Sequence, residues 1–203
     1  LSEQVYSGNH AMIKDHLLDC AQRHTRNCGG VITPEIIVLH YTAGGSLDGA
    51  VSWFQNPASS VSAHLVIGRD GSVVQCVPFN RRAWHGGASS YRGRPGVNGF
   101  SIGIEFVNWG VLQNNDSRTC RSWGGTIIPK SDCVQAEFRG SIHWWQRFPT
   151  AQIERGLAIV QELIQAYKIS DIVGHCDIAP TRKIDPGGAF PMSLFKHLLV
   201  EAQ

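Results

Sequence analysis

The sequence predicts an α/β fold: a single layered domain with one central mixed β-sheet flanked by α-helices. Three observations predict it. Short apolar runs such as Ile36-Ile37-Val38-Leu39-His40-Tyr41 are apolar at both parities, as strands buried between two layers are. Segments with helical period lie between such runs, most clearly around residues 150–168. Strands interspersed with helices belong to layered α/β architectures. The chain has 203 residues, 42% of them hydrophobic and 17% charged, which is enough for a sizeable core and too apolar for disorder. One domain is read across 1–203, with its core at about 30–200.

Taken in order, residues 10–24 place Met12, Ile13, Leu17, Leu18 and Ala21 on one helical face and predict an N-terminal helix. The run 36–41 predicts a central strand. Residues 47–55 predict a helix, with Ala50, Val51 and Phe54 spaced for a core and Pro57 just past its end. Residues 62–67 and 72–77 flank Gly68-Arg69-Asp70-Gly71 and predict a hairpin. Residues 101–107 predict another interior strand. Residues 110–135, rich in Gly, Asn, Asp and Ser, predict a loop insertion. His143-Trp144-Trp145 is expected to pack against the helix that Thr150 caps, which runs to about Lys168 with Ile153, Leu157, Val160, Ile164 and Tyr167 on one stripe. Pro191 predicts the start of a last helix through Leu198.

The net charge of +2 is too mild to argue for nucleic acid as a partner. No apolar run approaches the length of a membrane span. Six cysteines are many for a cytosolic chain of this size. Cys20 with Cys28 and Cys120 with Cys133 each flank a polar stretch, and two disulfides in an oxidising compartment are the expectation. Six reduced thiols in the cytosol are the competing reading, since spacing does not fix pairing.

The chemistry concentrates at the ends of the apolar runs. His40 closes one, and His175 closes another, Ile172-Val173-Gly174. Ten residues on stands Asp185, pinned by Pro186 and Gly187. Two imidazoles and a carboxylate suit a catalytic Zn2+, which takes three protein ligands and leaves one position open for water. Zinc lowers the pKa of that water to about 7. Lys183, two residues before Asp185, projects to the same side and would stabilise an oxyanion. Glu105 lies within the apolar strand 101–107. A carboxylate there needs a partner or a task, and burial raises its pKa toward that of a proton shuttle. The competing readings are hydrogen-bonded histidines at strand ends and an ion pair of Glu105 with an arginine. A structural zinc would need a fourth ligand. The nearby candidate, Cys176, should point away from its neighbour His175.

These residues fall within five blocks in order: Val38-Leu39-His40-Tyr41-Thr42-Ala43, Ser62-Ala63-His64-Leu65-Val66-Ile67, Ala83-Trp84-His85-Gly86-Gly87, Ser101-Ile102-Gly103-Ile104-Glu105, and Gly174-His175 through Asp185-Pro186-Gly187. With them the chain resembles the zinc-dependent N-acetylmuramoyl-L-alanine amidases of type 2, a group that includes phage, envelope and recycling amidases and the peptidoglycan recognition proteins. The resemblance implies a central mixed sheet and hydrolysis of the amide between N-acetylmuramic acid and L-alanine in peptidoglycan or muropeptides. It implies Zn2+ on His40, His175 and Asp185, with Glu105 activating the water. Asp as third ligand matches recycling and envelope members, whereas several phage and animal members carry Cys. A non-catalytic recognition module is the alternative, and its mark would be a lost ligand.

Tyr41, His64, Trp84, His85 and Arg92 are the expected substrate-binding residues. A satisfied core histidine competes for His64, and a solvated basic loop for Arg92. Recycling members tend to carry Asn where Tyr41 stands, which favours the envelope form and, with the cysteines, a periplasmic, cell-envelope or secreted location over a cytoplasmic one. The 110–135 segment is expected to shape the groove or to receive an inhibitor or immunity protein.

Overall fold

The computed structural model describes residues 13–202. Its centre is a six-stranded mixed sheet ordered Asp171–Gly174, Ile36–Tyr41, Ser101–Phe106, Leu65–Ile67, Val73–Gln75, Ala21–Gln22. The first four strands are mutually parallel, Leu65–Ile67 and Val73–Gln75 form an antiparallel hairpin, and Ala21–Gln22 runs parallel to the last of these. Parallel strands need both faces covered. On one face Ile37, Leu39, Ile102, Ile104 and Phe106 meet Ile153, Ile159, Val160 and Leu163 of a helix spanning Thr150–Ala166, and Phe195 of another spanning Met192–Glu201. On the other face Ile36 and Val38 pack with Val97, Phe100, Val173 and Ile178. Farther along that face the helix Leu47–Gln55 buries Val51 and Phe54 in a cluster with Val66 and Val74. Each such side chain contributes about 1.5–3 kcal/mol when fully buried.

Side chains alternate along a strand, so Ser101–Phe106 has two characters. Ile102, Ile104 and Phe106 lie under the helices. Ser101, Gly103 and Glu105 face the other way. Glu105 is in register with His40 on the adjacent strand.

Three expectations are corrected. Met12 and the start of the predicted 10–24 helix lie outside the described residues, and the remainder is not helical. Ile13–Lys14 pairs with Leu17–Leu18 across Asp15 and His16, whose φ values of 50° and 65° make the turn. The buried side chain of Gln75 holds this hairpin, accepting from Leu18 N at 2.7 Å and donating to His16 O at 3.2 Å. The 110–135 segment is not a loop. Val111–Asn114, Thr119–Arg121 and Ile127–Pro129 join Cys133–Phe138 and Ser141–Gln146 in a five-stranded antiparallel sheet. Its own small core holds Leu112, Cys120, Ile128 and Cys133. His143, Trp144 and Trp145 are therefore strand residues, and Trp145 is fully buried. Finally, all six cysteines are free thiols, although Cys120 and Cys133 adjoin; burial and the neighbouring Cys120 push the Cys133 thiol up to about 12.

Candidate metal centre and cleft

The site lies where ligands bind in open parallel sheets, beyond the carboxyl ends of the central strands. His40 is the next-to-last residue of Ile36–Tyr41, and His175 follows directly on the neighbouring strand Asp171–Gly174. Parallel pairing of these two strands brings the histidines together. Asp185 arrives on a loop, tied by Cys176 N donating to Asp185 O at 2.9 Å. The additional sheet supports that loop from outside. Trp145 occupies the space a side chain on Gly187 would need, its ring 2.3 Å from the position of a Cβ, and the carbonyl oxygen of Glu137 lies equally close to where a Cβ on Gly188 would sit.

His40 Nδ1, His175 Nδ1 and Asp185 Oδ2 form a triangle with sides of 3.0, 3.0 and 3.1 Å. A tetrahedral ion with ligand bonds of about 2.0–2.1 Å spaces its ligand atoms by about 3.3 Å, close to what is found. The chemistry of the donors fits as well. His175 Nε2 faces the Gly86 carbonyl at 3.2 Å. A carbonyl can only accept, so Nε2 donates to it, and Nδ1 is the nitrogen turned toward Asp185. Burial pushes His40 down to about 4 although the neighbouring Asp185 carboxylate opposes the shift, so it is neutral at neutral pH. Burial raises the Asp185 carboxyl, but its contacts with His175 and then His40 outweigh that and hold it below the usual carboxylate range. Two imidazole nitrogens and an anion converging on one point are a cation site. Among the described residues these three are the cluster that could hold a metal ion, and Cys176 is not part of it.

The triangle opens into a cleft of about 550 Å³ whose lining includes Tyr41, Trp53, Trp84, Glu105, Arg182 and Lys183. Glu105 is half-buried overall, but its Oε2 is sealed from solvent with no hydrogen-bond partner. Burial pushes its pKa up to about 8, with Asp185 adding to the rise and Lys183 opposing it. The ion pair with an arginine is thereby excluded.

Of the residues expected to meet substrate, Tyr41 and Trp84 line the cleft. His64 does not reach it. It is fully buried, accepts from Gly103 N at 2.9 Å and faces the Arg81 carbonyl at 2.9 Å, a strap between elements. Burial pushes it down to about 4, so it is the satisfied core histidine. Arg92 also lies outside the lining; it is exposed and pairs with Asp171 at 3.3 Å. His85 touches the cleft but is 8% exposed, with its ring turned to His40 and Ser101. Sequence reasoning passed over Trp53 and Arg182. Trp53 is 56% exposed on the helix Leu47–Gln55, off the stripe of Val51 and Phe54, and its polar-face position was the signal. Arg182 donates to the carbonyls of Gly86 and Ala88 at 2.8 and 2.9 Å, and nothing local in the sequence announces that.

Residues 31–188 match the family profile described as N-acetylmuramoyl-L-alanine amidase. The chain belongs to that family. Among its relatives, this amidase-family chain is 38% identical over 141 residues to the 1,6-anhydro-N-acetylmuramyl-L-alanine amidase AmpD of Escherichia coli K12, a match covering 68% of this chain and 58% of that protein. The chain thus spans under three fifths of that relative's length. It is 30% identical over 200 residues to AmpD of Haemophilus influenzae, covering 87% of this chain and 90% of that one. Its fold superimposes on the E. coli amidase AmiD, in complex with the substrate anhydro-N-acetylmuramic acid-L-Ala-D-gamma-Glu-L-Lys, with a TM-score of 0.62 and 26% identity over 94% of this chain and 66% of that one. The central mixed sheet with flanking helices is the fold of these amidases. No helix among the described residues is long and apolar enough to cross a membrane.

Proposed function

We propose that this chain hydrolyses the amide joining N-acetylmuramic acid to L-alanine in peptidoglycan and its anhydro-muropeptide fragments, using Zn2+ held by His40, His175 and Asp185. One observation carries the proposal: three converging donor atoms at the floor of an open cleft, with a carboxyl of raised pKa alongside to accept and pass on a proton. Bound there, zinc supplies Lewis acidity, polarising the carbonyl and making water nucleophilic near neutral pH. Glu105 takes a proton from the attacking water and returns it to the departing alanine nitrogen, a task its raised pKa suits. Lys183 places a positive charge where the carbonyl oxygen becomes anionic. Tyr41, Trp53 and Trp84 offer flat faces to the sugar and peptide, and Arg182 offers a cation to a stem-peptide carboxylate.

Anhydro-muropeptides are included because the AmpD relatives are named for the 1,6-anhydro form and the AmiD complex contains such a substrate. Tyr41 is the departure from recycling members that argues for intact sacculus too. Activity in the cell envelope, the periplasm or outside the cell is the corresponding location, with Tyr41 its remaining support now that the thiols are unbridged. An inhibitor or immunity protein forms no part of the proposal.

The test is digestion of soluble anhydro-muropeptides and intact sacculi, with products identified by mass. Free stem peptide beginning at L-alanine is expected, lost with a chelator and restored by zinc. Binding without cleavage at full zinc occupancy would leave a recognition module.

A further inference from the structure

His85 is the buried group that the proposed chemistry does not use. Its ring lies among His40, His64 and Ser101, with no carboxylate in contact, so it is neutral. The hydrogen bonds around it have a forced direction. The Val97 carbonyl can only accept, and Ser101 Oγ donates to it at 2.7 Å. That hydroxyl oxygen therefore accepts from His85 Nε2–H at 3.1 Å. A neutral imidazole with its proton on Nε2 has a lone pair on Nδ1. His85 Nδ1 then accepts from His40 Nε2–H at 3.0 Å. The chain ends by leaving His40 Nδ1 bare, pointing at His175 and Asp185.

Two further features hold the ring in place. Gly103 leaves room for it: a Cβ there would lie 2.4 Å from His85 Cγ. The Asn98 carboxamide oxygen accepts from both His85 N and Gly86 N, at 3.2 and 2.7 Å. Gly86 is also the residue whose carbonyl fixes the tautomer of His175. One clamped dipeptide thus faces both imidazoles of the metal centre.

We propose that His85 is a positioning residue which, anchored through Ser101 to the Val97 carbonyl, locks His40 in the Nε2–H tautomer and so presents Nδ1 to the metal. This rests on the metal-centre reading above. Groups that orient metal-binding histidines typically account for about 10–100-fold in metal affinity.

The experiment measures zinc dissociation constants by competition with a chromophoric chelator for the wild type, His85→Ala, Ser101→Ala and the double variant, with circular dichroism to confirm folding. His85→Ala should weaken zinc binding by about 10–100-fold, and Ser101→Ala should weaken it in the same direction. The double variant should bind no more weakly than His85→Ala, because both substitutions cut one chain. In the zinc-loaded wild type, the Nε2–H protons of His40 and His85 should give imidazole NMR signals protected from solvent exchange, with the His85 signal losing protection in Ser101→Ala. Unchanged affinity in the single variants, additive losses, or absence of both protected signals in the wild type would overturn the proposal. If His85→Ala does not fold, Ser101→Ala, which removes one oxygen atom, still decides. A wild type that fails to bind zinc sinks the metal-centre reading instead, and shows it before any substitution is made.

Discussion

Replacing Glu105 by Gln in the zinc-free protein should change how stability depends on pH, and the sign follows from the site. The carboxyl titrates near its ordinary 4.5 in the unfolded chain and at about 8 in the fold, because burial and then Asp185 raise it. Between those values the native protein holds a proton that the unfolded chain has released, so stability falls as pH rises. The contribution is fully retained below about pH 4.5 and spent above about 8. At about 1.4 kcal/mol per pH unit the ceiling is about 5 kcal/mol, and partial hydration of a half-buried group brings the working figure to about 2–3 kcal/mol. His40, His64 and His85, all pushed down by burial, slope the other way below 6.5 but are common to both proteins. Urea unfolding in chelator at pH 5, 6, 7, 8 and 9 measures the difference. The Gln variant should gain on the wild type by about 2–3 kcal/mol across that range. Parallel curves would mean that Glu105 ionises as an ordinary surface carboxylate, and its role as proton carrier would fall with that.

Gly103→Ala should be costly despite its small size. Ordinary carbon contacts are about 3.5–4.0 Å, so the His85 ring must retreat by about 1 Å; calorimetry should show a loss of about 1–3 kcal/mol, together with weaker zinc binding. Lys183→Ala should leave zinc affinity intact while turnover falls by about 10²–10³-fold, the usual loss when one group stabilising an oxyanion is removed; steady-state kinetics on a muropeptide checks it, and full turnover refutes the role. Thiol titration of the denatured, unreduced protein should count all six cysteines as free; a count of four would mark one bridge, with Cys120 and Cys133 the adjoining pair.

What the sequence disclosed depended on how local the signal was. His40 and His175 end apolar runs, and Glu105 interrupts one, so each is anomalous in its own neighbourhood. The long helix Thr150–Ala166 repeats its stripe often enough to be unmistakable. The N-terminal hairpin was hidden because Ile13, Leu17 and Leu18 have helical spacing, while the turn depends on left-handed backbone at Asp15 and His16. The additional sheet was hidden by strands of three or four residues between polar turns, such as the one where Asp116 accepts from the backbone of Arg118 and Thr119. His85, His64 and Arg92 illustrate a different obstacle. All three residue types suit a groove, and their partners, Ser101, Gly103 and Asp171, decide the matter only after folding.

Anomalous diffraction at the zinc edge, from crystals grown with excess zinc, tests the central claim most directly. The account requires one strong peak within bonding distance of His40 Nδ1, His175 Nδ1 and Asp185 Oδ2, with its remaining side open to the cleft. A peak bound elsewhere, or one enclosed by a fourth protein ligand, would contradict it.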